Sequence, residues 1–459
     1  MQPIPPDQPL RDVASELVNL HFPSSVQELC ISGESISTIV EQYQTPLYLY
    51  SEDVLEQKWN ALRAALPAEF SVFYSMKANP QRSFLEYFLK KGCGIEIASG
   101  GELYQALEAG CPPEQIVYAG PGKSERELEF ALASGVGEIH IESIREAERI
   151  ASLSRLAGKS TRVALRVNAQ ASVQGGAMRM GGKPSPFGID EESLDELVDR
   201  ILVDPWLELV GIHLYTGTQI LDHNILISQY RHAVEIAGRV ATRIGKPLQT
   251  IDFGGGLGVP YFAHEQALDL HAFADGLAQL VEELRTTPLL ADARLIVEPG
   301  RFLVAEAGIY VTRVIDIKQS RGKTFLIADG GMHHHLAASG NLGQTIKRNY
   351  PIVLLNKLKK PADVAVDVVG PLCTPLDVLG RSVELPRAAV GDLIGIFQSG
   401  AYGRTASPLG FLSHPTPAEI WIADGLARLI RRRGRYEDLL RDGSHTGCKE
   451  SLETTTSSC

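Results

Sequence analysis

Between residues 70 and 300 the hydrophobic pattern of the chain switches repeatedly between two periods. Short runs of β-branched and aromatic residues give way to longer stretches with apolar positions at helical spacing. The runs are 70–76 (FSVFYSM), 94–99 (GIEIAS), 115–120 (QIVYAG), 138–143 (EIHIES), 162–168 (RVALRVN), 209–217 (LVGIHLYTG), 250–255 (TIDFGG) and 293–300 (ARLIVEPG). In the intervening segment ESIREAERIASLSRLAG, Ile144, Ala147, Ile150 and Ala151 fall on one helical face. Strands separated by helices pair in parallel, and eight such units predict an α/β fold, a (β/α)8 TIM barrel over 51–304. An open doubly wound sheet is the alternative, since it needs no fixed strand number.

After residue 305 the apolar runs shorten and the segments between them read as turns: GIYVTRVIDI, KTFLIAD, DVAVDVV, DLIGIF, AEIWIAD. This predicts a second, antiparallel β domain over 305–425. The segment 1–50, which includes TPLYLY, is expected to add a strand to it. A tail over 426–459, ending GCKESLETTTSSC, has little to bury and is expected to be disordered.

Composition narrows the class of protein. A net charge of −11 argues against a nucleic-acid binder, because phosphate backbones attract basic surfaces. The one compact basic run, Arg431, Arg432, Arg433 and Arg435, reads as a solvated end. No apolar stretch approaches the roughly 20 residues that span a bilayer. Six scattered cysteines without CxxC spacing, and no secretory leader, point to the reducing cytoplasm.

Barrel enzymes carry their chemistry at the carboxyl ends of the strands, and there the unusual residues gather. Lys77 ends the first run, Glu96 lies in the second and Arg166 in the fifth. The sixth carries His213, Tyr215 and Thr218; the seventh ends in Gly254, Gly255 and Gly256; the eighth ends in Glu298, Pro299, Gly300 and Arg301. A lysine after an apolar strand is costly unless paired, exposed or used chemically, and a desolvated lysine of lowered pKa condenses with aldehydes. Consecutive glycines let backbone N–H groups approach a phosphate. A carboxylate facing a pyridine nitrogen keeps it protonated, so that the ring draws in electrons. Each feature alone has a plain explanation: surface lysine, tight turn, rim ion pair. Together they match the requirements of pyridoxal 5′-phosphate.

FYSMKAN, the GGG of IDFGGG, EPGR, GPLC and GAYG resemble the signature segments of the fold-type III decarboxylases, the family of diaminopimelate, ornithine and arginine decarboxylases, over residues 36–423. The resemblance implies a pyridoxal-phosphate-dependent homodimer with active sites at the subunit interface. Lys77 would be the Schiff-base lysine and Glu298 the partner of the ring nitrogen. Gly254, Gly255, Gly256, Gly300, Arg301 and Thr218 would hold the phosphate, and Tyr402 of GAYG would touch cofactor or substrate. Glu96 and Arg166 would line the cofactor site. Cys373 would reach in from the neighbouring subunit and return a proton to the substrate. An amino-acid racemase, a non-catalytic regulator and a single-domain cofactor-carrying protein, which would lack the β domain, are the rivals. GPLC speaks against the first, and the retention of Lys77, Glu298 and Cys373 against the second.

Three departures bear on the substrate. Thr374 stands where the free-diamine enzymes carry an acid, MHHHLAASGNLGQ lacks the arginine that grips a distal carboxylate, and Tyr215 replaces the histidine that stacks on the ring. MGGKPSPFGID, GIHLYTGTQ, GVPYF, DGGMHHH, GPLCTP and SHPTPAEI resemble the branch that decarboxylates glutamate carried on an acyl-carrier protein. A carrier-bound aminoacyl substrate is therefore expected, contacted by Arg301, Thr374 and Tyr402, with a free amino acid as the alternative. No metal site is expected. His333, His334 and His335 would alternate faces on a strand and so not converge on one ion. Surface salt bridging suffices to explain Glu102 and Glu142.

Overall fold

The computed structural model describes residues 11–170, 178–179, 184–215, 217–342, 344, 346–441 and 443. Phe70–Ser75, Gly94–Ile97, Ile116–Tyr118, Glu138–Ile141, Thr161–Asn168, Leu207–Leu214, Thr250–Asp252 and Arg294–Val297 are eight parallel strands, each paired with the next. Leu295 of the last registers with Phe70 of the first, so the sheet closes and the open-sheet alternative is excluded.

The intervening helices are set by local signals. Glu125–Ser134 begins at a capping box of Ser124 and Glu127 and ends at Gly135, whose φ of 77° suits glycine. Ile144–Ala157 buries Ala147, Ile150 and Ala151, three of the four positions on the face read from the sequence, while Ile144 packs half-buried against the core. The eighth unit is different. Only one turn, Arg301–Val304, follows the last strand, and Glu52–Ala65, which precedes the first strand, packs against it and against Leu270–Arg285 to complete the outer ring.

The second sheet runs in the order Val378–Leu385, Val364–Val369, Lys323–Ala328, Gly308–Ser320, Leu47–Ser51, Ala418–Ala423 and Leu426–Arg431, and Leu393–Ile396 also pairs with Gly308–Ser320. The N-terminal strand Leu47–Ser51 is wholly buried in the middle of it. Two expectations need correction. The sheet is mixed, because Lys323–Ala328 pairs in parallel with Val364–Val369, and Leu47–Ser51 in parallel with Ala418–Ala423. The boundary at 425 also falls inside a hairpin: Leu426–Arg431 is the edge strand, not tail. Its arginines mislead because charge is what an edge strand carries to discourage further pairing. Most of the remaining tail, 442 and 444–459, lies outside the described residues.

The two sheets meet at the turn after the first barrel strand. Tyr402 N–H donates to the Ala78 carbonyl (2.8 Å), and Asn79 Nδ2 donates to the Gly400 carbonyl (2.9 Å). This lays the loop carrying Tyr402 over the mouth of the barrel.

Candidate active site

Lys77 lies in the short helical turn Met76–Ala78 that caps the first barrel strand. Its Nζ donates to both oxygens of Glu96, at 3.1 and 3.0 Å, and Ser75 Oγ donates to the same carboxylate at 2.5 Å. Glu96 is fully buried, whereas the lysine side chain is 41% accessible. An amine crowded by protein yet reachable by water faces a cleft, not bulk solvent. Tyr215 stands beside it, 5.9 Å from Nζ to the ring centre, with the Arg166 guanidinium 6.0 Å from the same ring. The lowered pKa expected of Lys77 is corrected: burial does push it down, but the facing Glu96, Tyr402, Glu298 and Tyr215 outweigh burial and hold the ammonium above its ordinary range.

The glycines are required by close approach. A Cβ at Gly255 would stand 2.5 Å from the Glu298 carbonyl oxygen, and one at Gly300 would stand 2.9 Å from Ala78 Cβ and 3.1 Å from the Ser75 carbonyl. Gly254 and Gly256 have φ of 66° and 100°. Arg301 donates from Nη1 to Tyr261 Oη at 3.1 Å and stacks over the Tyr402 ring at 4.7 Å. Thr218 sits half-buried on the short strand Gly217–Thr218. Arg166 is paired with Glu142 at 2.7 Å, and Glu142 also accepts from the N–H groups of Gly120 (2.6 Å) and Gly188 (2.9 Å). Glu142 is buried, so surface salt bridging does not describe it; it fixes the rim under Arg166.

Glu298 leaves the eighth strand into the barrel interior, where its Oε1 is buried without a hydrogen-bond partner, as is Arg301 Nε near the glycine turn. An orphaned carboxylate oxygen, a lysine, an arginine and a backbone cradle closed to any Cβ fit pyridoxal phosphate: the acid would take the ring nitrogen, the lysine the aldehyde, and the glycines with Arg301 the phosphate.

Cys373 and Thr374 stand apart. Their loop is fastened to the β domain by Asp377, which accepts from the N–H groups of Met332 (2.6 Å) and Leu372 (2.8 Å). Cys373 is exposed, and among the described residues no hydrogen bond, ion pair or ring contact joins either residue to Lys77, Glu298 or Arg301. The histidine triplet lies in turns rather than on a strand, so the alternating-face argument does not apply. The rings nevertheless take separate partners: His334 Nε2 meets the Pro415 carbonyl (3.0 Å), His335 Nε2 meets Ser399 Oγ (2.8 Å), and His333 packs on His334 and His414. Burial pushes His335 down to about 3, so it is neutral at pH 7.

Sequence reading missed the groups beneath the rim. Glu138, His140 and Asp252 are buried in the barrel interior with His213 and Glu298. Ligating atoms of His140, His213, Asp252 and Glu298 lie within 4.8 Å of one another, but the two histidines turn Nδ1 toward Nδ1 at 2.9 Å, which commits those atoms to a hydrogen bond. The available signal was the period-two spacing of Glu138, His140 and Glu142, which sends all three to one face.

Comparison with known proteins agrees with this geometry. Residues 52–305 match the family model described as pyridoxal-dependent decarboxylase, pyridoxal binding domain. The chain is 40% identical over 413 residues to the L-glutamyl-[BtrI acyl-carrier protein] decarboxylase of Niallia circulans, covering 88% of this chain and 95% of the relative. It is 34% identical to the diaminopimelate decarboxylase of Aquifex aeolicus, covering 89% and 94%. The solved diaminopimelate decarboxylase of M. jannaschii in complex with L-lysine superposes with a TM-score of 0.84 at 28% identity, covering 91% and 96%.

Proposed function

The chain belongs to the pyridoxal-dependent decarboxylases, and from that premise we propose that it removes the α-carboxylate of an aminoacyl group, glutamyl or similar, presented as a thioester on an acyl-carrier protein. The feature that carries the substrate lies in the sequence: no charged side chain stands at 374 or within 336–342. Thr374 follows Cys373, and small buried Ala337, Ala338 and Ser339 occupy the segment where a free dicarboxylic substrate would need a cation. A thioester in place of the distal acid needs no such clamp, and burying an unpaired charge there would be costly. The 40% identity to a decarboxylase of a carrier-bound glutamyl group supports the same substrate class.

Bound pyridoxal phosphate supplies the electron sink for the carboxylate's departure. The chain's own residues do the rest. Lys77 Nζ would hold the cofactor's aldehyde, with Glu96 orienting the amine. The glycine turn, Gly300, Arg301 and Thr218 would hold the phosphate, Glu298 would take the ring nitrogen, and Tyr215 would offer its flat face to the ring. Tyr402 and Arg301 line the substrate entrance. Cys373 of the partner subunit holds the proton returned to Cα at its Sγ, which makes the functional unit a homodimer and accounts for the exposure of Cys373 in a single chain. Cytoplasmic location goes with this reading, in which Cys30, Cys93, Cys111 and Cys373 are free thiols.

Carbon dioxide release from a panel of free amino acids and their carrier thioesters tests the proposal. Release from glutamyl-carrier thioester, and none from free diaminopimelate, is expected. Release from free diamino acids alone would assign the enzyme to the alternative, a free amino-acid decarboxylase.

A further inference from the structure

The interior of a TIM barrel is ordinarily packed with branched apolar side chains. Here Phe73, Val117 and Ile296 form a small apolar cluster of their own, yet five ionisable groups share the same interior. The fourth strand contributes Glu138 and His140, two residues apart and so on one face; the sixth contributes His213, the seventh Asp252, and the eighth ends in Glu298. Buried ionisable groups are costly unless mutually satisfied, so this arrangement calls for a reason beyond packing.

The groups form a line. His140 Nε2 lies 3.1 Å from Glu138 Oε1, the two histidines meet Nδ1 to Nδ1 at 2.9 Å, and His213 Nε2 lies 3.4 Å from Glu298 Oε2. Donor and acceptor roles follow in order from the far end. Burial raises the Glu138 carboxyl, but the His140 and Thr250 hydrogen bonds outweigh it, leaving a carboxylate that only accepts. His140 Nε2 therefore donates to it. If both rings were neutral, His140 Nδ1 would accept from His213 Nδ1–H, and the bare lone pair of His213 Nε2 would face a carboxylate. Burial pushes His213 down while the facing Glu298 pushes it up; one further proton, shared along the Nδ1···Nδ1 contact, would remove that conflict, because His213 Nε2–H would then point at Glu298 and the histidine pair would carry a single positive charge between two carboxylates.

We propose that Glu138, His140 and His213 form a buried proton ladder that positions Glu298, engaging its Oε2 through His213 Nε2–H so that Oε1 alone is presented to the cofactor's ring nitrogen. The inference rests on the assignment of Glu298 to that nitrogen. His213 Nε2 is unsatisfied at 3.4 Å, and the last rung shortens when Oε1 is engaged, as active-site hydrogen bonds tighten in the loaded enzyme. Asp252 supports the line from the side. Burial and the neighbouring Glu298, with which it shares a hydrogen bond, push its carboxyl well above the usual carboxylate range, and its Oδ1 accepts from Gly254 N–H at 2.8 Å. It thereby joins the ladder to the glycine turn. The remaining charged or titratable neighbours are Lys77 and Arg166 above, Arg294 beside Glu138, and Tyr230 beside Asp252. Glu138, His140 and His213 are positioning residues, since they act through Glu298.

Holoenzyme reconstituted with ring-15N pyridoxal phosphate and labelled with 15N-histidine, read by solid-state NMR, tests the ladder. Wild type is expected to show a protonated ring nitrogen and a histidine pair with both Nε2 atoms protonated. Glu138→Gln, which is remote from the ring, should move the ring-nitrogen signal toward the unprotonated position. It should also lower kcat on the order of 10-fold with KM unchanged, as when the partner behind a functional ligand is removed. A bare Nε2 on His213 in wild type, or a Glu138→Gln ring signal identical to wild type, overturns the proposal. Glu298→Gln separates the two levels: if it too leaves the ring signal unchanged, the assignment of Glu298 is what fails. Should Glu138→Gln not fold, the wild-type histidine spectrum alone decides.

Discussion

Gly255→Ala tests whether the glycine turn and Glu298 form one mechanical unit. The added Cβ would lie 2.5 Å from the Glu298 carbonyl oxygen, with the Glu298 carbonyl carbon at 3.4 Å, so the obstacle is backbone rather than a movable side chain. An ordinary carbon–oxygen contact needs about 3.3 Å, so the turn and the strand end must separate by about 0.8 Å. A shift of that size would stretch a hydrogen bond of about 2.8 Å donated by the ring N–H to Glu298 to about 3.6 Å, which no longer counts as one. Misplacement on the order of 1 Å at a reacting centre can cost about 100-fold in rate, and overpacking of this kind costs about 1–3 kcal/mol in stability. Fluorescence titration of cofactor affinity and steady-state carbon dioxide release are the assays. The expected variant folds, binds cofactor more weakly and loses about two orders of magnitude in kcat/KM. Wild-type affinity together with wild-type turnover would refute the coupling of the turn to Glu298.

Other consequences can be checked at the rim, the domain junction and the proposed subunit interface. Glu142→Ala leaves the Arg166 guanidinium and two backbone N–H groups without their acceptor, and is expected to destabilise the protein by about 3–5 kcal/mol in urea unfolding; a loss within about 0.5 kcal/mol, as at an ordinary surface site, would show the rim network to be dispensable. Buried Glu306 bridges His21 (3.2 Å) and Lys58 (2.9 Å) at the junction; burial raises its carboxyl, but Lys58 and His21 bring it from 4.5 down to about 2. A depressed carboxylate stabilises the fold above pH 4.5 and loses that contribution as pH falls toward 2. Wild type should therefore lose about 3 kcal/mol across that window, on an order-of-magnitude scale, that Glu306→Gln does not, and parallel pH–stability curves would remove the effect. If the proposed homodimer shares its sites, mixing inactive Lys77→Ala and Cys373→Ala chains restores activity on the order of a quarter of wild type, because half the dimers then hold one complete site; no recovery after confirmed subunit exchange would place Cys373 outside a shared site.

The barrel was legible because each strand advertises itself locally, as a short β-branched run ending in residues such as Lys77 or EPGR that have no place in a core. Its closure was an expectation from strand number, and the pairing of Leu295 with Phe70 decides it. The β domain was legible only in outline. The parallel pairing of Leu47–Ser51 with Ala418–Ala423 joins opposite ends of the chain, and no local pattern encodes it. Leu426–Arg431 was read as tail because its arginines mask a strand alternation. At the site, strand-end residues could be read from position, but the sign of the Lys77 shift depends on Glu96, Tyr402, Glu298 and Tyr215 arriving from other elements. Glu138, His140 and Asp252 were hidden for the same reason: a polar residue within a three- or four-residue strand reveals its partner only once neighbouring strands fix the register.

Borohydride reduction of the cofactor-loaded enzyme followed by peptide mass mapping tests directly whether Lys77 carries the cofactor. A pyridoxyl group is expected on Lys77 and on no other lysine, buried Lys123 included. An enzyme that retains its visible cofactor absorbance while Lys77 emerges unmodified would contradict it.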